Sequence, residues 1–413
     1  MTQSSIGAEG QVADDIPDYP MPRAKGCPLD PSPGLRDLQV KAPLARVRLW
    51  DGSTPWLVTR HALQRALLAD KRVGSDILLP GYPHVSESFR DRRAEIRAFI
   101  NIDDPEHARQ RQMLSPSFTV KRIEKLRPTV QRIVDDLIDK LLAQPKPVDL
   151  LSEFALPVSS LVICHVLGVP YEDRESFQRT SRILMHRQST KETALAAQME
   201  LVGYFDQLIG RKLDAPADDL LSLLATEQLK TGQMTRPDLA MIALILLIGG
   251  HETSADMITL GALALLMHPD QLAMVRETDD PKLIASATEE LLRYLSIAHG
   301  GRRRVALEDI EIAGEVIRAG EGLVIPTEIG DRDETVFHDP DVLDVHRDAR
   351  KHNVFAFGMH QCLGHPLVRV ELQTVYGTLY RRIPTLALAV DVSDLEFKNE
   401  GLAYGVHELP VTW

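Results

Sequence analysis

Hydrophobic positions recur with a helical period over most of this chain. From Asp104-Pro105-Glu106 onward the spacing predicts helices over about 106–115, 120–143, 151–167, 172–185, 191–213, 218–226, 236–267, 269–276 and 281–295. Upstream the pattern differs. Ala45 to Trp50 alternates as a strand does, turns at Asp51-Gly52-Ser53 and returns through Pro55 to Val58, after which 61–69 reads as a helix. Between Lys71 and about Ile100 no period holds, and a loop that long in a compact fold usually serves function. Strand-like runs return at 310–312, 316–317 and 323–325, and a last helix covers 363–383 with Pro366 in its first turn. No repeat or linker divides the chain. The expectation is a mainly α fold with a minor β part, one domain over 26–413 behind a flexible segment 1–25.

The longest apolar run, Leu239 to Gly250, has twelve residues, short of the roughly 20 a membrane span needs, and so reads as a helix through the middle of the protein. It then meets His251, Glu252, Thr253 and Asp256. Two adjacent glycines inside a helix cost about 1 kcal/mol each relative to alanine, so Gly249 and Gly250 suggest a bend or the close approach of a ligand. Thr253 lies four residues after Gly249, within reach of its carbonyl. Glu252 is an acid in apolar surroundings, suited to a shifted pKa and proton transfer. A core helix with a tolerated polar patch is the bland alternative.

Composition narrows the field. The 413 residues are 44% hydrophobic and 26% charged, ordinary globular values. Lys+Arg 47 against Asp+Glu 59 leaves −12, which argues against a nucleic-acid or anionic-membrane binder. Cys27, Cys164 and Cys362 are too few and too scattered for a disulfide framework. With a polar, acidic start that lacks the features of a signal peptide, a cytoplasmic protein is expected, with no membrane association and no sign of oligomerisation beyond a monomer.

The densest chemistry is the run Phe355-Ala-Phe-Gly358-Met-His360-Gln-Cys362-Leu-Gly364. Gly358 and Gly364 let the chain fold tightly around the sulfur, and the helix that follows sets its N-terminus against Cys362, favouring a thiolate suited to metal ligation. A buried inert cysteine is one alternative; a zinc site using His346, His352, His360 and His365 is another. Glu290 and Arg293 share a helix face three residues apart, a pairing too common to mean much alone.

Taken together, F-x-x-G-x-H-x-C-x-G, G-G-x-E-T at 249–253, E-x-x-R at 290–293 and Arg347 occur in the order of the cytochrome P450 superfamily, and the chain resembles its soluble bacterial class from about Cys27 to Trp413. The resemblance implies a haem b cofactor with Cys362 as iron ligand and Phe355, Gly358 and Gly364 around it. Haem propionates would be held by His107, Arg111, Arg304 and His360. For Arg302-Arg303-Arg304 a nucleic-acid patch is the rival reading. Gly249 and Gly250 would form the dioxygen groove, Thr253 and Glu252 the proton-delivering pair, and Glu290, Arg293 and Arg347 a structural lock. Substrate would touch Ile245, Ile248, Ile297, Ala298, the 71–98 loop and the turn from Leu402 to Val406.

Residues 107–127 hold six basic side chains against Glu124 alone, and an acidic ferredoxin, supplied with electrons from NAD(P)H through its reductase, is expected to dock near Arg109, Lys121, Arg122 and Lys125. The pattern departs from the family at Gly249, usually Ala, at Ala356, usually Gly, at His365 and Val368, usually Ala, and at Glu328 and Asp331, whose acids have no counterpart. The implied activity is insertion of one oxygen atom from O2 into an apolar organic substrate of the macrolide, terpenoid, steroid-like or drug-like kind, in secondary metabolism or xenobiotic oxidation. The rivals are a peroxide-using or non-oxygenating enzyme on the same scaffold and a haem-binding sensor without turnover.

Overall fold

The long helix around which the protein is built begins where its sequence says it should. Thr235 caps Arg236–Met267, its hydroxyl accepting from the Asp238 N–H while the Asp238 carboxylate accepts from the Thr235 N–H, with Pro237 in the first turn. In this computed structural model, which describes residues 16–24 and 26–413, the helix runs 32 residues without a break. It is the one helix among the described residues long and apolar enough to cross a bilayer, but it lies in the core, packed against Leu156–Leu167, Lys191–Asp214, Pro281–Leu295 and His365–Arg382. Close packing is achieved where side chains are missing. A Cβ on Gly261 would lie 2.0 Å from the Tyr376 hydroxyl, which donates to the Met257 carbonyl at 2.6 Å.

The expected helix over 120–143 is two helices, Val120–Glu124 and Arg127–Leu142, because Pro128 starts the second. The N-terminal hairpin pairs Leu44–Arg46 with Trp56–Val58, shorter than the alternation predicted, with Ala45 opposite Leu57. It belongs to a five-stranded sheet in the order Leu44–Arg46, Trp56–Val58, Gly322–Ile325, Arg302–Ala306, Val73–Gly74, in which Trp56–Val58 runs parallel to Gly322–Ile325. Arg302–Ala306 was not legible as a strand, since three successive arginines hide any alternation of hydrophobicity. Ile310–Ile312 and Glu315–Ile317 form a hairpin, and Val148–Asp149, Pro410–Thr412 and Ala387–Leu388 a third small sheet. The 71–98 stretch is mostly irregular but contains Val73–Gly74 and a short helix, Glu87–Asp91.

The expectation of a flexible segment over 1–25 is corrected for 16–24. Tyr19 and Met21 are buried, the Tyr19 N–H donates to the Arg48 carbonyl at 2.8 Å, and Arg23 is paired with Glu328; residues 1–15 and 25 lie outside the described residues.

Candidate active site

Cys362 sits in a loop that only small residues could close. Its N–H donates to the Phe355 carbonyl at 2.8 Å, Gly358 has φ 75, and a Cβ there would lie 2.4 Å from the Leu68 carbonyl oxygen. Ala356, at φ 58, occupies the left-handed region as well, which is why glycine suits that position better. Gly364 has an ordinary φ of −80, so its role is not conformational; a Cβ on it would meet nothing within 4 Å, leaving room beside the sulfur. Burial pushes the Cys362 thiol up, and Arg302, the Gly364 N–H, Arg111 and the His365 N–H pull it only part of the way back.

Around the loop stands a belt of donors with few acids: among the described residues Nδ1 of His107 meets Asp104 at 3.1 Å and Nε2 of His360 lies 3.9 Å from Asp103. The His107 and His360 rings face each other at 4.0 Å, and the Nε2 of each is buried with no hydrogen bond among the described residues, as is Nε of Arg302. Arg111 donates to the Gln361 carbonyl at 2.6 Å, Arg302 to the Val354 carbonyl at 2.9 Å, and Arg304 to the Arg303 carbonyl at 2.7 Å. Burial holds His360 down at about 3, helped by Arg304, His107 and Arg111. Buried cations and orphaned donors are costly unless an anion completes them. A planar cofactor carrying two carboxylates, seated against a cysteine sulfur, fits this donor set. Arg302 joins the predicted members; a period of two from Arg304 on a strand was the signal that could have found it.

The central helix carries the second group of candidate residues. Along its buried length Ile245, Ile248, Gly249, Glu252 and Thr253 stay incompletely covered, a stripe at helical spacing, and a Cβ on Gly249 would meet nothing within 4 Å. The Thr253 hydroxyl donates to the Gly249 carbonyl at 2.5 Å, the bond its spacing predicts, though the helix is not broken there. Gly250 is incompletely covered as well. A Cβ on it would lie 2.7 Å from Cδ1 of Ile163, so its small size also serves packing against Leu156–Leu167. Glu252 accepts from the Ser181 hydroxyl at 3.3 Å; burial raises its pKa, opposed by Lys398 and Arg182.

A family model described as cytochrome P450 matches residues 47–384. Cytochrome P450 GfsF of Streptomyces halstedii is 52% identical over 415 residues, covering 100% of both chains, and its crystal structure superposes with a TM-score of 0.91 over 96% of this chain and 100% of that one. Pentalenic acid synthase of Streptomyces avermitilis is 48% identical over 100% of both chains. A mycinamicin VIII methyl hydroxylase from Micromonospora griseorubida, solved with mycinamicin VIII, is 40% identical with a TM-score of 0.90, covering 96% of this chain and 100% of that one. The chain belongs to the cytochrome P450 family.

As a P450 it is a monooxygenase that uses haem and O2, and the remaining geometry is that of the P450 fold. Glu290 and Arg293 are fully buried and joined bidentately, Nε to Oε2 at 2.7 Å and Nη2 to Oε1 at 2.8 Å, with Nε of Arg347 3.1 Å from Oε1. Arg293 also donates to the Asp331 and Pro340 carbonyls at 2.9 and 2.8 Å, tying its helix to the segment that leads to the cysteine loop. The two unmatched acids now have partners. Glu328 binds Arg23 at 2.7 Å, anchoring the N-terminal segment, and Asp331 accepts from the Asn353 N–H at 2.6 Å; burial raises the Asp331 carboxyl to about 6 against the pull of His352, that N–H, Arg293 and Arg332.

No three His, Cys, Asp or Glu side chains gather into a metal-ligand group among the described residues, which removes the zinc arrangement. His352 is held by Glu289 and His365 by Arg369. Ile297, Ala298 and Leu402 form one wall, since Ala298 bridges to Ala403 and the Leu402 N–H donates to the Met185 carbonyl at 3.0 Å. The predicted basic face of this P450 shrinks. Arg109 is engaged bidentately by Glu106, Arg127 by Glu124, and Arg111 turns inward, so Lys121, Arg122 and Lys125 remain exposed. The sequence showed Asp256 in the central helix but not its partner: it is buried and 2.8 Å from Nζ of Lys398, 142 positions away.

Proposed function

We propose that this P450 hydroxylates or epoxidises an apolar organic molecule in the cytoplasm with one atom of O2, using electrons from NAD(P)H delivered through a reductase and an acidic ferredoxin. The observation that supports the reading is the tight Cys362 loop with buried donors around it that lack hydrogen-bond partners among the described residues, together with the incompletely covered Gly249–Thr253 stripe of the central helix. Cys362 would ligate the iron of haem b, and His107, His360, Arg111, Arg302 and Arg304 would take its carboxylates. When bound, the haem supplies dioxygen activation, favoured by electron donation from the thiolate. Thr253 holds a proton at Oγ1 beside the Gly249 opening, and Glu252, kept protonated more readily by burial, can replenish it from the Ser181 side. Ile245, Ile248, Ile297, Ala298 and Leu402 would exclude water and orient the substrate by apolar contact. A macrolide, terpenoid, steroid-like or drug-like molecule is the substrate class; the relatives named for mycinamicin VIII and pentalenic acid support a natural product.

The exposed Lys121, Arg122 and Lys125 are the proposed ferredoxin contacts, on the strength of their local excess of positive charge in an acidic chain. The test is the carbon monoxide spectrum of the reduced protein beside Cys362→Ser, expected to show a strongly red-shifted Soret band that the variant lacks. Thr253→Ala should retain that band while diverting reducing equivalents from product to peroxide. Reversing Arg122 and Lys125 to Glu should slow reduction at low salt and blunt its salt dependence; an unchanged rate would sink the docking assignment.

A further inference from the structure

Side chains alternate across a strand, so Arg303 points to the face opposite Arg302 and Arg304 and is not available to the cofactor. It reaches instead toward the N-terminal segment, its guanidinium 5.4 Å from the Tyr19 ring centroid. Arg187, at the end of Arg174–Met185, comes to the same place. A Cβ on Gly300 would lie 3.3 Å from Nη2 of Arg187 and 3.5 Å from Nη2 of Arg303, so both cations crowd one point.

Among the described residues no carboxylate forms an ion pair with Arg187 or Arg303, although buried Glu328 acts on Arg187 through space. Glu328 is taken by Arg23 at 2.7 Å, and Asp51 and Glu400, the other carboxylates that act on the two arginines, do so only at longer range. Nε and Nη1 of Arg303, Nε of Arg187, the Tyr19 hydroxyl and Nδ1 of His299 are all buried without a hydrogen-bond partner among the described residues, and Arg303, Tyr19 and His299 are only 6%, 5% and 8% exposed. Burying two cations and their donors this way is unfavourable unless an anion joins them. The place is next to the substrate wall. His299 and Gly300 directly follow Ile297 and Ala298, the Arg187 N–H donates to the Glu400 carbonyl at 3.1 Å, and the Arg187 guanidinium donates to the His299 carbonyl at 3.0 Å.

We propose that Arg187 and Arg303, with Tyr19 and His299, form an anion subsite at one end of the substrate wall, and that it receives a carboxylate carried by an otherwise apolar substrate. The proposal rests on the monooxygenase reading for its purpose, and it makes charge, not shape alone, a determinant of which molecules bind and which way round. A free inorganic anion shares the chemistry and is separated by the test.

The experiment is calorimetric titration of the holoenzyme with a graded series of straight-chain fatty acids, their methyl esters, and inorganic phosphate. The acid should bind at least about tenfold more tightly than its own ester, the scale of a charge-assisted hydrogen bond. Arg303→Gln should erase that advantage while leaving ester binding intact; Arg187→Gln, at the half-buried end of its helix, should do the same and covers the case in which the buried Arg303 variant does not fold. Equal binding of acid and ester along the series, or an acid advantage that survives in Arg187→Gln, overturns the proposal. Phosphate binding lost in Arg187→Gln, with acids no better than esters, assigns the site to a free anion and equally overturns the substrate role. The carbon monoxide spectrum of the same sample reports separately on the monooxygenase reading, because a missing thiolate band would condemn that reading without altering the calorimetric preference.

Discussion

Glu290 is the point at which this fold should be most sensitive to loss of a single charge. Its carboxylate accepts from Nε and Nη2 of Arg293 at 2.7 and 2.8 Å, from Nε of Arg347 at 3.1 Å and from the Asp344 N–H at 3.0 Å. Glu290→Gln keeps the size and one acceptor but leaves Arg293, fully buried, without a counter-ion. Removing one partner of a buried pair costs about 3–5 kcal/mol, because the other charge stays behind dehydrated. Against a total stability of about 5–15 kcal/mol that is a large share. The urea midpoint should fall by on the order of 1 M, and haem content after purification should drop with it. Arg293→Met should be at least as harmful, since the Asp331, Pro340 and Val342 carbonyls lose their donor too. In the double variant the two losses should not add; a coupling of about 2 kcal/mol or more is expected. If Glu290→Gln unfolds within about 1 kcal/mol of the parent, or the cycle closes with no coupling, the lock is decorative and this reasoning is wrong.

Ala356→Gly should stabilise the protein by about 1 kcal/mol by relieving the left-handed backbone at φ 58, while Gly358→Ala should cut haem retention because its methyl would enter the Leu68 carbonyl; thermal melts and the haem-to-protein absorbance ratio read both. The adjacent glycines of the central helix should part ways, Gly249→Ala being neutral or stabilising by up to about 1 kcal/mol and Gly250→Ala destabilising through Ile163, and equal melting shifts would contradict the packing assigned to them. Burial, offset by Lys398, raises the Asp256 carboxyl from 3.8 to about 7, so the folded state keeps a proton that the unfolded chain has released; the associated stability is full below about pH 4 and lost as the pH rises toward 7. Asp256→Asn should therefore show a smaller fall in urea midpoint between pH 5 and pH 8 than the parent, by up to a few kcal/mol, and an identical pH profile would refute the burial argument.

How much of this was visible in the chain depends on the range over which each interaction acts. Helices were legible because their period, caps and prolines are local: Thr235 with Asp238, and Pro366 in the last long helix, are written within a few residues of what they control. The cysteine loop was legible for a similar reason, since Gly358 and Cys362 must meet the constraints of one tight turn. Thr253 and Gly249 announced their hydrogen bond by a spacing of four. Short strands were legible only where alternation survived, and Arg302–Ala306 was lost because arginine reports charge and not the face it occupies.

Tertiary structure decided the rest, because a buried charge takes its meaning from partners that folding brings near. Glu328 looked anomalous until Arg23 arrived from 305 positions away, and Asp256 until Lys398 did. The tight loop around Cys362 was legible in its sequence, but whether its proton leaves depends on dehydration and on Arg302 and Arg111, which come from a strand and a helix elsewhere in the chain. Arg109 and Arg111 read alike, two residues apart; the fold turns one to Glu106 at the surface and the other inward to the Gln361 carbonyl. Local pattern sets backbone geometry because its forces act within a turn, whereas solvation and long-range pairing, which fix what an ionisable group can do, exist only once the chain has closed around it.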